Sequence, residues 1–255
     1  MNEQPDYRAE GIHLLAQHEG HFWFRHRNRV IQRALKLHTR KNKAEISILE
    51  IGAGAGAISR FLKKQGYRVA ASDMFEAGIA YLKKSVDSCF VFNVIDDPIP
   101  TELQQQFDVL ILGDLIEHLE EPVCVLRRIQ PFLKKEGMIL ITVPALMQLW
   151  SVYDEACGHK KRYTKKELAE VAKAAGYTVR DQRYFMFVPS IVLFFLRRIR
   201  SWKKMGASEL MAQEMRIPHL LNIILSGLMS AEFLLGTMLP LPWGSSALVV
   251  AETIT

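Results

Sequence analysis

Cysteine is scarce in this chain: Cys89, Cys124 and Cys157 are the only three in 255 residues, and they are scattered with no metal-ligand spacing. That argues against a disulfide framework and fits a reducing compartment. The N-terminus is polar and lacks the apolar core of a signal peptide, so a cytoplasmic location is expected. Charge of one sign is only modestly in excess. A net charge of +6 and a pI near 9.2 permit an anionic partner, either nucleic acid or an anionic membrane surface. The basic residues are spread along the chain and no separate RNA-binding module is visible, so no nucleic-acid partner is expected. What is present is ordinary for a globular protein, with 49% hydrophobic and 24% charged residues. The length suits one domain carrying an insertion.

The chain is organised around Ile46 to Lys64. Ile46 to Ile51 is a short β-branched run, as in a strand buried on both faces. Gly52, Gly54 and Gly56 then turn the chain with Ala53 between them, and Ala57 to Lys64 resumes at helical spacing. The Gly-x-Gly-x-x-Gly spacing of dinucleotide folds is missing; the spacing is Gly-x-Gly-x-Gly. Glu50, just before the first glycine, would repel a pyrophosphate but suits a cationic or amine-bearing ligand. This stretch resembles the first motif of the class I S-adenosylmethionine (SAM) methyltransferases. The resemblance implies that Glu50, Gly52, Ala53, Gly54 and Gly56 hold the methionine part of SAM.

Further on, strands and helices alternate. Tyr67 to Ser72 reads as the second strand and ends at Asp73-Met74, where an acid can accept hydrogen bonds from a ribose diol. Helix 75–86 and strand 88–94 follow, and in the usual SAM fold Asn93 or Asp96 would take the adenine amine. Phe107 to Leu112 is the fourth strand, leading into Gly113-Asp114-Leu115-Ile116-Glu117-His118-Leu119. Glu-His-Leu-x-x-Pro here strongly resembles the "type 11" class I methyltransferases. Helix 122–133, a turn at Lys134 to Gly137, strand 137–143, helix 165–175 and strand 177–187 complete the core. The expected fold is α/β: a doubly wound, Rossmann-like, mostly parallel seven-stranded sheet, with Ser245 to Thr253 inserted antiparallel as the last strand.

Residues 1–45 read as a helical lid segment, 46–187 as the SAM-binding core, 188–244 as a helical insertion and 245–255 as the final strand of the core. His21-Phe22-Trp23-Phe24-Arg25 opens the first helix, and three adjacent aromatics cannot all face inward, so at least one should cover a ligand or a groove. Leu149 to Thr164 is too polar and aromatic for core and too long for a simple turn, which reads as a functional loop. His-Phe-Trp-Phe, Glu-His-Leu and Trp-Ser-x-x-Asp-x-x-x-x-His-x-x-Arg-Tyr together resemble one bacterial branch of these methyltransferases. Its members often look like enzymes for lipid-linked, glycan or secondary-metabolite acceptors. Trp23, Arg25, Trp150, Tyr153, Arg162 and Tyr163 are the candidates for acceptor contact.

SAM carries its own activated methyl group, so the protein must exclude water, align an acceptor and, where needed, take a proton. His118 and His159 are the candidate bases, with Asp114 and Glu117 beside them. Asp114-x-x-Glu117-His118 with His159 is also similar to the metal site of ubiquinone-pathway O-methyltransferases and small-RNA 2′-O-methyltransferases. A divalent ion on Asp114, Glu117, His118 and His159 is therefore the alternative to a base.

The insertion holds two apolar stretches, Phe185 to Leu196 and Leu220 to Leu241, with Arg197, Arg198, Arg200, Lys203 and Lys204 after the first. The second is nearly long enough to span a bilayer, but Asn222, Ser226, Ser230, Glu232 and Thr237 share one half of its helical wheel. An interfacial helix at the cytoplasmic membrane or a hydrophobic cap on the sheet or a dimer partner are the two readings. The acceptor is accordingly a hydrophobic or lipid-linked molecule, or else a soluble small metabolite under a helical lid.

Overall fold

The computed structural model describes residues 12–13, 16–199 and 216–253. Helix α1 (Phe22–His38) leads into strand β1 (Ser47–Ile51), α2 (Ala57–Lys64), β2 (Arg68–Asp73), α3 (Glu76–Leu82), β3 (Ser88–Val91) and β4 (Phe107–Gly113). Then come α4 (Pro122–Arg128), β5 (Leu133–Pro144), the short α5 (Val152–Ala156), α6 (Lys165–Ala174) and β6 (Tyr177–Phe185). Helices α7 (Phe187–Ile199) and α8 (His219–Met238) precede β7 (Ser246–Thr253).

The seven strands form one sheet in the order β3-β2-β1-β4-β5-β7-β6. All neighbours pair in parallel except β7, which runs antiparallel to both β5 and β6. Ile48, Leu49, Val109, Leu110, Ile111 and Ile139 to Ile141 are fully buried, as expected of strands covered by helices on both faces. The order reverses direction between β1 and β4. In a doubly wound sheet that is where a crevice opens beyond the C-terminal strand ends.

Several boundaries differ from the sequence expectation, each for a local reason. Helix α4 ends at Arg128 because Pro131 disfavours helical backbone at Gln130, and Gln130–Phe132 turns as a 3-10 helix instead. Lys134 to Gly137 is not a free turn but a bulge within β5. Leu133 pairs with Phe107 and Met138 with Val109, so four residues stand opposite Asp108 alone. Lys134 Nζ closes the bulge with 3.0 Å bonds to Asp108 Oδ2 and Ser47 Oγ. Strand β3 stops at Val91, because Asn93 turns away with its Oδ1 accepting from the Ile95 amide.

Helices α1 and α8 are the fold's additions nearest the crevice. Asn28 Nδ2 donates to the Ala57 carbonyl at 2.8 Å, which fixes α1 against the start of α2. Helix α8 lies on α1 through the polar side of its wheel. Asn222 Oδ1 accepts from the Phe22 amide (2.8 Å), Arg29 donates to Ser230 Oγ (2.8 Å), and buried Glu232 meets His26 and the Val188 amide. Of the basic cluster noted in the sequence, Arg200, Lys203 and Lys204 lie outside the described residues.

Candidate active site

A cavity of about 850 Å³ occupies the crevice between β1 and β4 and extends under α1 to α7 and α8. That is a small-ligand volume, toward the upper end of roughly 300–1,000 Å³. Its floor is the glycine turn. Gly54 has a φ of +53°, and a β-carbon placed there would meet nothing within 4 Å, so its open side is cavity. Gly56 serves the turn differently. It stands off the cavity at φ +79°, packed against the Leu82 side chain, where no side chain fits.

Glu50 is buried at the cavity edge, and its Oε2 accepts from the Ser59 amide (2.9 Å) and the Ser59 hydroxyl. Burial pushes its carboxyl up to about 7, against the Ser59 bonds and the Arg27 charge, which hold it down. A cationic ligand would draw it into the charged form. Asp73 Oδ2 accepts from the Gly54 amide at 2.7 Å and Oδ1 from the Phe75 amide at 2.9 Å, which locks the carboxylate across the end of β2. Burial raises this carboxyl, while the backbone bonds oppose the rise. Two lone pairs remain for a diol. Met74, Asn93 and Gly113 also face the cavity. Asp96 does not: it is exposed behind Asn93, whose Nδ2 donates to it at 2.8 Å. Between the two adenine candidates, only Asn93 is in reach.

The wall beyond β4 holds the ionisable groups. Asp114 sits at φ +56° and its Oδ2 accepts from Arg27 at 2.5 Å. The Arg27 guanidinium lies 4.8 Å from the Trp23 ring centre and 5.3 Å from that of Phe24. Arg27 is thereby held between two aromatic rings and a carboxylate, a pre-organised cation at the cavity roof. Arg25, by contrast, is exposed and off the cavity, so of the two arginines only Arg27 lines it. Residues four apart share a face of a helix and residues two apart do not, which is why Arg27 and not Arg25 joins Trp23.

Glu117 and His118 lie on a 3-10 turn (Ile116–His118), and His159 comes from the loop after α5. The His118 and His159 rings are 4.8 Å apart, edge to face. One ligand atom from each of Glu117, His118 and His159 falls within 4.8 Å of the others. Asp114, turned to Arg27, stands outside this group. Glu117 is wholly buried, and among the described residues neither of its carboxylate oxygens has a hydrogen-bond partner. Burial, and then the charge of Asp114, raise its carboxyl well above the usual range. An orphaned buried carboxylate beside two imidazoles is a donor set that fits a divalent cation.

His159 has its own support. Its Nδ1 is 2.9 Å from Asp154 Oδ1, which leaves Nε2 as the ring nitrogen open to a ligand. Asp154 is fully buried, and Arg162 grips it with Nε at 2.7 Å and a second nitrogen at 3.1 Å. Burial alone would raise the Asp154 carboxyl; the His159 bond and the Arg162 charge hold it at about 2. The Asp-x-x-x-x-His-x-x-Arg spacing is thus one side-chain unit, and Asp154 is the member the sequence reading passed over. Tyr153 and Arg162 reach the cavity. Trp150 and Tyr163 do not: Trp150 bonds Glu155, and Tyr163 is buried in the core, with its hydroxyl pushed up to about 12 by burial.

The strand order, the glycine turn at the β1–β4 switch point and the ribose-ready acid after β2 define a SAM-dependent methyltransferase. The chain belongs to the methyltransferase-domain family, whose model matches residues 23–182, well over half of its length. It is 26% identical over 162 residues to the ubiquinone biosynthesis O-methyltransferase of Aeromonas salmonicida, covering 56% of this chain and 67% of that protein. The chain spans between under half and about two thirds of the length of the curated relatives it matches. Among solved structures, it resembles a SAM-dependent methyltransferase from Archaeoglobus fulgidus (TM-score 0.54, 16% identity, 89% of this chain and 94% of that one). It also resembles the Haemonchus contortus phosphoethanolamine N-methyltransferase 2 in complex with SAM (TM-score 0.53, 17% identity, 87% of this chain and 52% of that one).

Proposed function

We propose that this methyltransferase acts on a hydroxyl group of an apolar acceptor, and that Glu117, His118 and His159 would hold a divalent cation at the reacting oxygen. The observation that carries the reading is the buried Glu117 carboxylate, without a hydrogen-bond partner among the described residues and grouped with two imidazoles on the cavity wall. A cation there would supply Lewis acidity, lowering the pKa of a bound hydroxyl. The relatives' names describe O-methylation, which agrees with an oxygen acceptor.

The chain's own groups do the rest. Asp154, fixed by Arg162, holds the His159 ring through Nδ1, and His159 lines the cavity. Trp23, Phe24 and Arg27 roof the site and would keep water from a bound sulfonium, and Leu193 and Leu225 would make an apolar lining for the body of the acceptor. The Asp154–His159 hydrogen bond also favours a second reading, in which His159 Nε2 takes the hydroxyl proton without a cation. One experiment tests both. Methyl transfer to a panel of hydroxylated acceptors of graded apolarity is followed after chelator treatment and again after manganese, magnesium or zinc is restored. Loss and recovery support the cation; activity untouched by chelator supports His159 as the base. Transfer only to amines or carbons would overturn the hydroxyl reading.

A further inference from the structure

Helix α8 is amphipathic in the direction opposite to that of a helix packed in water. Its polar positions turn inward: Asn222 and Ser230 bond to α1 and the segment before it, and Glu232 is buried against His26. Among the described residues its outer side is Leu220, Leu221, Ile223, Ile224, Gly227, Leu228, Ala231, Leu234 and Leu235, and His219 at its first turn is the one exposed polar side chain. Leu220, Leu234 and Leu239 are each about two-thirds exposed (69%, 66% and 67%). Contiguous apolar surface of this kind marks an interaction face. Ile191 and Val192 of α7 and Trp243 are also exposed apolar side chains of the same insertion.

The cavity reaches this surface. Val192 and Leu221 are both exposed and both line the cavity, while Leu225 lines it one turn further along α8. Apolar surface is therefore continuous from the acceptor chamber to the outside.

We propose that the outer face of α8 docks flat on an anionic phospholipid bilayer, so that the cavity opens onto the lipid from which the acceptor is drawn. This rests on the cavity being the acceptor site. By length and composition α8 could cross a membrane. It does not do so here, because Asn222, Ser230 and Glu232 tie it along its length to α1. Charge selects the bilayer over a second copy of this chain. Arg197, Arg198, Arg200, Lys203 and Lys204 fall within eight residues of the sequence, directly after the apolar part of α7. Such a cluster attracts anionic headgroups, whereas a second copy of this chain carries the same net positive charge of +6.

The test is flotation of the full chain with vesicles of phosphatidylcholine and of equimolar phosphatidylcholine and phosphatidylglycerol. The wild type is expected to float with the mixed vesicles and weakly with the neutral ones. Leu228→Asp with Leu235→Asp should cut partitioning about tenfold or more. The milder pair Leu228→Ser and Leu235→Ser, which poses less risk to folding, should give a smaller loss in the same direction. Glutamine at the five basic positions should cost roughly fivefold per charge removed. In every variant the dissociation constant for SAM, read by calorimetry, should stay within about twofold, since none of these residues lines the cofactor end. A wild type that never floats overturns the proposal. So does a wild-type dimer that the Asp pair converts to a monomer, which would make the face a subunit seam. SAM binding lost in the wild type itself would instead strike at the methyltransferase site, so the two failures are told apart.

Discussion

Helices α2 and α8 are both amphipathic, and they use that property in opposite ways. In α2, Ile58 and Leu62 are buried against the sheet, while Lys64 at its end is exposed. Each buried side chain of that size contributes about 1.5–3 kcal/mol relative to exposure. In α8 Leu220, Leu221, Leu228, Leu234 and Leu235 are outside and the only carboxylate, Glu232, is inside with His26. Water alone accounts for α2 and not for α8. The half of the molecule around β1 and β4 is organised for a small cationic cofactor, and the half around α8 exposes apolar side chains. The cavity joins them.

If the two halves are functionally separate, substitutions in one should spare the other. The largest effect is expected at His159→Ala, which should lower turnover by about 10²–10⁴-fold while SAM still binds and vesicle flotation is unchanged. A change in flotation would mean that the halves are coupled. Next is Glu50. Its carboxyl is raised from an unfolded value of 4.5 to about 7 in the folded protein. The unfolded chain therefore gives up this proton first, so free-protein stability falls as pH rises from about 4.5 to 7, by up to about 3 kcal/mol from this group. Thermal melts across that range should show the loss in the wild type. Glu50→Gln should lessen it, the raised Asp73 and Glu117 carboxyls keeping their own share, and be the more stable form at pH ~8, above the raised Glu50 value, while binding SAM more weakly. A melting temperature with the same pH dependence in both would remove Glu50 as its source.

Gly54→Val comes next, expected to weaken SAM by about 1–3 kcal/mol or more by filling the open cavity space beside the turn, from a backbone already at positive φ. Asp73→Ala should cost about 1–3 kcal/mol of cofactor affinity through lost charged hydrogen bonds. Part of that would come from freeing the Gly54 and Phe75 amides. Calorimetry reads both, and an unchanged constant for either would take that residue out of the site.

The sheet could be read from the sequence because parallel strands buried on both faces appear as short apolar runs between helical spacings. The glycine turn is legible in its Gly-x-Gly-x-Gly spacing and its resemblance to a methyltransferase motif, and Asp73, His118 and His159 in their places after strand ends. What escaped reading depended on contacts made across the fold. Arg27 looks like any helix-surface basic residue until Asp114, 87 positions away, faces it. Asp154 sat inside a motif that was recognised, but its burial under Arg162 is set by the loop's path. For α8, the wheel showed which residues share a side, and only the position of α1 decided which side faces in.

The central claim is that the cofactor lies across the ends of β1 and β4 with its reactive end toward Glu117, His118 and His159. A crystal structure with S-adenosylhomocysteine and manganese tests it most directly. The account predicts the ribose at Asp73, the sulfur facing the two histidines, and an anomalous peak among Glu117, His118 and His159. A cofactor bound with its ribose away from Asp73, or with its sulfur turned from the histidines, would contradict it.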